Sequence, residues 1–352
     1  MKRLQTIAEQ FAGHGTTPQI TPLGNGLIND TYLVICAGKR FVLQGINRRV
    51  FPEPNQVVAN LRQLNRHVAA QTMVKPHLRI PVLLETVDNQ PCHTDPNGEV
   101  WRALELIEPA ESREQLSNDI EASQVGFALA HFHKLCAGLP TDELYDTLPG
   151  FHITPLYFQN YQGLLEQPLQ VVADAEYWQC RQFIDQSEAR ISELEQAKER
   201  GELRERVIHG DPKLNNFLFV PGSDHIVSLV DLDTVKPGLV HYDIGDCLRS
   251  CCHIPETNEF DLDRCQIILD NYLREAGEFF TTADYDYLFS AVWLIPFELG
   301  LRFFSDYLNG NQYFKVSTPR QNLERALALF ALCDSIDQKR AILERLISQC
   351  QD

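Results

Sequence analysis

The apolar patterning predicts an α+β fold of two lobes, a small β-rich N-terminal lobe followed by a larger helical C-terminal one. Three observations carry this. Between residues 20 and 107, β-branched and aromatic runs are joined by short Gly-bearing turns. From Ser117 onward, apolar residues recur at helical spacing over long stretches. A Pro-bearing connector, Glu108-Pro109-Ala110, separates the two regimes and sets the lobes at 1–108 and 109–352.

In chain order, residues 4 to 12 read as a short helix and Ile20 to Leu23 as a strand running into Gly24-Asn25-Gly26. Thr31 to Ile35 and Phe41 to Ile46 form a hairpin about Ala37-Gly38-Lys39. Val57, Val58, Leu61, Leu64 and Val68 define one face of an amphipathic helix. Pro81 to Val87 and Glu99 to Ile107 are strands, separated by a loop from Asp88 to Gly98. Ser117 or Asn118 caps a helix that presents Val125, Leu129, Phe132 and Leu135 and ends near Cys136. His131 and His133 on that helix read as core or surface residues. Glu176 to Arg206 reads as one long charged helix that buries Phe183, Ile184, Ile191 and Leu194 and is closed by Gly201. Leu262 to Ala276, Thr282 to Arg302 and Thr318 to Gln349 are helical in pattern, with a kink expected at Pro296.

Composition narrows the functional classes. The chain of 352 residues is 44% hydrophobic and 22% charged, ordinary values for packed domains. A net charge of -17 argues against binding a nucleic-acid backbone. The ten cysteines show no Cys-x-x-Cys pair, and Cys251-Cys252-His253 lacks zinc-ligand spacing. The apolar runs at Phe289 to Phe297 and Ala326 to Cys333 fall short of the ~20 residues of a membrane span. Gln5, Glu9, Gln10 and His14 interrupt any apolar signal segment behind Met1-Lys2-Arg3, so the expected location is the cytoplasm.

The most informative stretch is Val207 to Asp246. An apolar run opens into His209-Gly210-Asp211, and Asn216 follows that Asp by five residues. A second apolar run, Ile226 to Val230, ends on Asp231, with Asp233 two residues on. His-Gly-Asp alone can be a plain turn. A carboxylate closing a buried strand is costly unless it is paired or bound to metal, and this gives the spacing its weight. Phosphoryl transfer needs an acidic group to orient the attacking hydroxyl and oxygen ligands for magnesium. Asp211 fits the first task, Asn216 and Asp231 the second. Lys213 is placed to neutralise charge on the transferred group. The protein-kinase catalytic loop has the same form, so the expected architecture is a two-lobed protein-kinase-like fold.

On that template Gly24, Asn25 and Gly26 form a lid over the phosphates, and backbone groups at Glu105, Leu106 and Ile107 meet the adenine. Gln44 stands where the third strand usually bears a phosphate-binding Lys. Lys39, Arg48 or Arg49 could supply the missing charge, or the metal could carry more of it. Glu53 and Asn60 are candidates for that strand's partner. Asn29 is either a strand-edge amide or an acceptor-binding residue.

The segments His209 to Asp211, Asn216, Asp231 and Tyr242-Asp243-Ile244-Gly245-Asp246 together resemble the aminoglycoside phosphotransferase and choline kinase-like superfamily. GNGLINDTYLV from Gly24, FVLQGINRRVF from Phe41, PGFHITP from Pro149, RFFSDYLNGNQYFKV from Arg302 and NLERA from Asn322 resemble its N-acetylhexosamine 1-kinase branch. Leu27 departs from the His that members of this branch often carry there. The resemblance implies ATP as co-substrate, Mg²⁺ as cofactor and a small sugar as acceptor, phosphorylated at its anomeric hydroxyl. Another small alcohol, such as an amino alcohol, amino acid or aminoglycoside, is the alternative, and a non-catalytic nucleotide-binding regulator is a third. The resemblance also implies that Arg302 and Tyr313 reach the acceptor. Asp243 and Asp246 are expected to stabilise the loop or to cap the helix that follows.

Overall fold

The computed structural model describes residues 2–351 except His14, Thr16, 25–27, 72–77 and Gln170. Asn25, Gly26 and Leu27 therefore lie outside the described residues. The first part of the chain comprises α1 (Lys2–Ala12), β1 (Gln19–Pro22), β2 (Asp30–Cys36), β3 (Lys39–Gly45), α2 (Pro54–Ala70), β4 (Leu83–Leu84), β5 (His93–Thr94) and β6 (Val100–Glu105). The strands form an antiparallel sheet in the order β1-β2-β3-β6-β4, and β5 pairs with β6 as well. One face of the sheet buries Val34, Phe41, Leu43, Trp101 and Ala103 against Ile7, Ala8 and Phe11 of α1. Pro54 starts α2, where a missing N–H costs nothing, and Val57 and Val58 pack beneath Ile46, Phe51 and Val100.

The rest of the chain is mainly helical: β7 (Glu111–Ser112), α3 (Asp119–Cys136), α4 (Thr154–Leu165), α5 (Ala175–Ser187), α6 (Glu193–Glu199), β8 (Arg206–Ile208), β9 (Phe217–Phe219), β10 (Ile226–Leu229), β11 (Lys236–Gly238), α7 (Val240–Cys252), β12 (His253–Ile254), β13 (Glu259–Phe260), α8 (Leu262–Ala276), α9 (Thr282–Asp286), α10 (Leu288–Leu308), α11 (Gln321–Gln338) and α12 (Arg340–Gln349). One large core joins these helices and also takes in Leu61 and Leu64 of α2. The Asn118 side chain caps α3 by accepting from Glu121 N at 3.0 Å. Gly126 lets α3 close on α8, because a Cβ there would lie 2.1 Å from Ile268 O.

Several expected elements differ in extent. The single helix expected from Glu176 to Arg206 is α5, a 3-10 turn at Glu188–Arg190, and α6. Ser187 Oγ donates to Phe183 O at 2.8 Å, a back-bond that disturbs the helical ladder at that point. Thr282 to Arg302 divides at Tyr287, after a short α9 tied down by the Thr281–Asp284 capping box. Thr318 to Gln349 divides at Lys339. The helix α10 continues through Pro296 to Leu308 and is long and apolar enough to cross a membrane, contrary to the estimate from its shorter apolar run. It is the central helix of the large core, with 78% of its most apolar window buried.

Two small antiparallel pairs place the loops of interest. β9 pairs with β10 at Phe217↔Leu229, and Val230 N donates to Asn216 O at 2.9 Å. β8 pairs with β11 at Ile208↔Lys236. The loop from His209 to Asn216 and the loop from Asp231 to Val235 therefore lie side by side.

Candidate active site

The loop begins with His209, wholly buried, which donates from Nε2 to Val230 O at 3.0 Å and accepts Asp211 N at Nδ1, 3.2 Å away. Those two bonds require the neutral imidazole, and burial lowers its pKa accordingly. Gly210 follows at φ 86°, and a Cβ there would lie 2.7 Å from Thr234 O. Glycine is needed on both counts.

Asp211, next in the chain, is partly exposed. Lys213 Nζ donates to its Oδ2 at 2.6 Å, and Asn216 Nδ2 donates to its main-chain O at 2.7 Å. With its amide nitrogen spent inside the loop, Asn216 keeps its carbonyl oxygen for an incoming group. Burial alone would lower the Lys213 pKa, but the charges of Asp211, Asp231 and Asp246 outweigh it and raise the value.

Asp231 adopts a left-handed backbone, φ 67° and ψ 58°, which is uncommon outside Gly although Asp and Asn adopt it more readily than other residues. Its carboxyl is pushed up to about 7, first by burial and then by the charges of Asp233 and Asp211. An exposed acid crowded by two others, on a loop alongside the one that carries Asn216, has the oxygen donors and local negative charge that suit Mg²⁺. Asn216 and Asp231 would hold the ion, which supplies charge neutralisation at the phosphates when bound.

Asp243 and Asp246 lie inside α7 rather than at its cap, which is Leu239 and makes no side-chain capping bond. Asp243 instead receives His209 N at 2.7 Å, Gly210 N at 2.8 Å and His133 Nε2 at 2.8 Å. Burial raises its pKa, but the bond from His133 and the backbone N–H of His209 outweigh this and hold it below the usual carboxylate range. Tyr272 Oη meets the far nitrogen of His133 at 2.8 Å. Asp246 pairs with Arg249 at 2.8 Å.

Above this loop the sheet contributes Gln44 and a residue that the sequence reading passed over. Arg102 on β6 faces Gln44 on β3 in register and donates to Gln44 Oε1 from Nη2 at 2.8 Å and from Nε at 3.1 Å. It also forms an ion pair with Asp233. The cation beside Gln44 is therefore Arg102, not Lys39, Arg48 or Arg49. Glu53 is exposed at the start of α2, while Asn60 bridges Tyr145 O at 2.8 Å and Val235 O at 2.9 Å. Asn29 donates to Asp233 at 2.6 Å and accepts Asn47 N at 3.0 Å, which places it with Arg102 rather than beside Arg302. Gly24, at φ 71°, follows β1, and β6 ends at Glu105, after which Leu106 and Ile107 leave the sheet.

On the other side of Asp211, Arg302 of α10 is ringed by Phe151, Tyr157 and Phe314, with its guanidinium carbon 5.1, 5.0 and 5.7 Å from their centroids. Burial opposes its charge, but Tyr157, Glu298, Tyr313 and Asp211 together raise its pKa. Glu298 lies one turn back on α10, 3.9 Å from Arg302, and accepts Thr154 Oγ1 at 2.8 Å. His152 donates to Gly210 O at 2.8 Å and turns Nδ1 to Glu298 at 3.2 Å, linking this cluster to the loop. Asp306 accepts Tyr313 N at 2.8 Å and Phe314 N at 2.9 Å, which fixes the turn carrying both rings. Tyr313 itself is half exposed.

A carboxylate, flanking oxygen donors and cations on two sides form an arrangement suited to phosphoryl transfer. Residues 19–279 match the family described as Phosphotransferase enzyme family. The chain belongs to that family. Solved structures with the same fold as this phosphotransferase include a microcompartment-associated aminopropanol kinase, 17% identical at a TM-score of 0.65, with 97% of this chain and 98% of that one covered. An aminoglycoside phosphotransferase from Alicyclobacillus acidocaldarius is 16% identical at a TM-score of 0.64, covering 99% and 96%. An amicoumacin kinase solved with AMP-PNP, Ca²⁺ and Ami is 14% identical at a TM-score of 0.61, covering 96% and 93%. The small antiparallel sheet and larger helical part are shared with these neighbours.

Proposed function

We propose that this phosphotransferase moves the γ-phosphoryl group of ATP to the anomeric hydroxyl of an N-acetylhexosamine, with Mg²⁺ as cofactor, and that it works in the cytoplasm. Asp211 orients the acceptor hydroxyl and takes its proton late, because the transition state is loose and the nucleophile needs little activation. Lys213, ion-paired to Asp211, offsets charge on the transferred group. Asn216 and Asp231 hold the metal. Gly24 and its two successors cover the phosphates, and the backbone from Glu105 to Ile107 meets the base.

The observation that carries the choice of acceptor is Arg302, a half-buried guanidinium within electrostatic reach of Asp211 and lined by aromatic rings. An acceptor bearing an ammonium group would be repelled there, whereas a neutral sugar finds ring faces to stack on and donors for its oxygens. A phosphate added beside Arg302 gains a planar fork of donors. Tyr313, on the turn held by Asp306, closes the same side.

The second reading is a kinase for another small alcohol, favoured by the net charge of -17, which draws cationic acceptors toward the protein. A panel of N-acetylhexosamines, aminopropanol, choline and kanamycin, each with radiolabelled ATP, separates the two. Label should pass to the N-acetylhexosamines. Transfer confined to the amino compounds would reject the sugar reading.

A further inference from the structure

The kinase reading requires a cation against the nucleotide's phosphates, and the third strand offers Gln44 in place of the usual Lys. Gln44 is neutral, so it does not supply that charge, and its bonds turn it toward its neighbours. Its amide nitrogen donates to Thr31 Oγ1 at 3.2 Å, and its oxygen accepts two bonds from Arg102. The amide oxygen of Gln44 is thus taken up by Arg102 and one of its two N–H groups by Thr31, so the side chain acts as a bracket for the guanidinium opposite and brings no positive charge to a phosphate.

Arg102 is placed as the missing cation. It is 1% exposed and lies on the strand that leads to the hinge, on the same face of the sheet as Gln44 because the two are direct cross-strand partners. Its head reaches down to Asp233, two residues beyond the candidate metal ligand Asp231. Asp233 sits on the turn that Asp231 opens, so the guanidinium lies against the segment bordering the volume in which the phosphates and metal would lie. Its Nη1 is buried and has no hydrogen-bond partner among the described residues. A buried guanidinium nitrogen is rarely left without an acceptor, and phosphate oxygens suit a planar fork.

We propose that Arg102 is the phosphate-binding cation of this chain, moved from the third strand to its neighbour, with Gln44 fixing its orientation and Asp233 holding it in the nucleotide-free protein. This rests on the ATP-dependent reading of the site. The cross-strand register makes the exchange of the two residues a direct test, since Q44K/R102Q returns a cation to the third strand and an amide to its neighbour.

The experiment is calorimetric titration of the full-length protein with Mg·ATP, alongside steady-state kinetics and melting temperatures. R102Q should bind Mg·ATP about 30-fold more weakly, the effect of losing a charge-assisted bond, with the acceptor KM unchanged. The exchanged variant Q44K/R102Q should recover most of that loss, which a purely structural role for Arg102 would not produce. R102Q binding Mg·ATP as tightly as the parent, or a folded Q44K/R102Q binding no better than R102Q, would overturn the inference. Should R102Q fail to fold, the exchanged variant decides alone: affinity within about threefold of the parent supports the assignment, and a folded protein with a loss of about 30-fold rejects it. Failure of the parent to bind ATP at all would instead remove the kinase reading.

Discussion

Asp243 holds Gly210 by its backbone: Oδ1 of the buried carboxylate accepts the Gly210 N–H at 2.8 Å, while Oδ2 takes the neighbouring N–H of His209. The position of Asp211 is thus set from beneath by a wholly buried residue. Asp243→Asn removes one acceptor and leaves a buried donor unpaired, at a cost of about 2 kcal/mol. Urea unfolding should show that loss together with a fall in kcat. The carboxyl is held below its ordinary range, so its contribution is present above that range and is lost as pH falls through the lowered value. An unchanged unfolding midpoint would mean that Asp243 does not support the loop.

Gly210 is the second constraint on the loop. Ala at this position meets both the left-handed backbone and the Thr234 carbonyl, and should destabilise the protein by about 1–3 kcal/mol. Because the shift required would move Asp211, kcat should fall further than stability alone explains. Thermal melting and kinetics on one preparation check both effects.

Asp231 gives a prediction that separates metal binding from folding. Its folded pKa of about 7 lies above the unfolded value of 3.8, so the fold favours the protonated carboxyl. The contribution of this group to stability is full below 3.8 and is lost as pH rises through about 7. Metal-free protein should therefore melt lower at pH 8 than at pH 6, and Asp231→Asn should remove most of that difference. Mg²⁺ should raise the melting temperature of the parent at pH 8 and leave the variant unmoved. A Mg²⁺ response that survives in the variant would take Asp231 out of the metal site.

Arg302 is predicted to act on the acceptor alone. Arg302→Met keeps much of the packing against Phe151, Tyr157 and Phe314 but loses the charge. The acceptor KM should rise by about 10- to 100-fold with the ATP KM unchanged. A rise in both would mean that the residue supports the whole loop through Glu298 and His152.

That Asp211, Asn216 and Asp231 would share one region was legible in the sequence, because each lies at the end of a short strand and local strand pairing sets the two loops side by side. The front hairpin was legible from its alternation and turn. Arg102 was not, although a charged residue within the buried run VWRALE is itself a signal that a partner waits across the molecule. Glu298 and Asp306 left the same mark inside the apolar stretch that became α10. His133 was read as core or surface, since nothing local to α3 announces a contact with an acid 110 positions away. The breaks at Tyr287 and Lys339 were missed because helical periodicity continues across them, and contacts distant in sequence decide where a helix ends.

The central claim is that Asp211 serves the chemical step of phosphoryl transfer, and single-turnover transfer of label from ATP to an N-acetylhexosamine tests it most directly. Asp211→Asn should slow that transfer by at least about 100-fold while binding Mg·ATP with the parent's affinity. Transfer at close to the parent's rate would contradict the account.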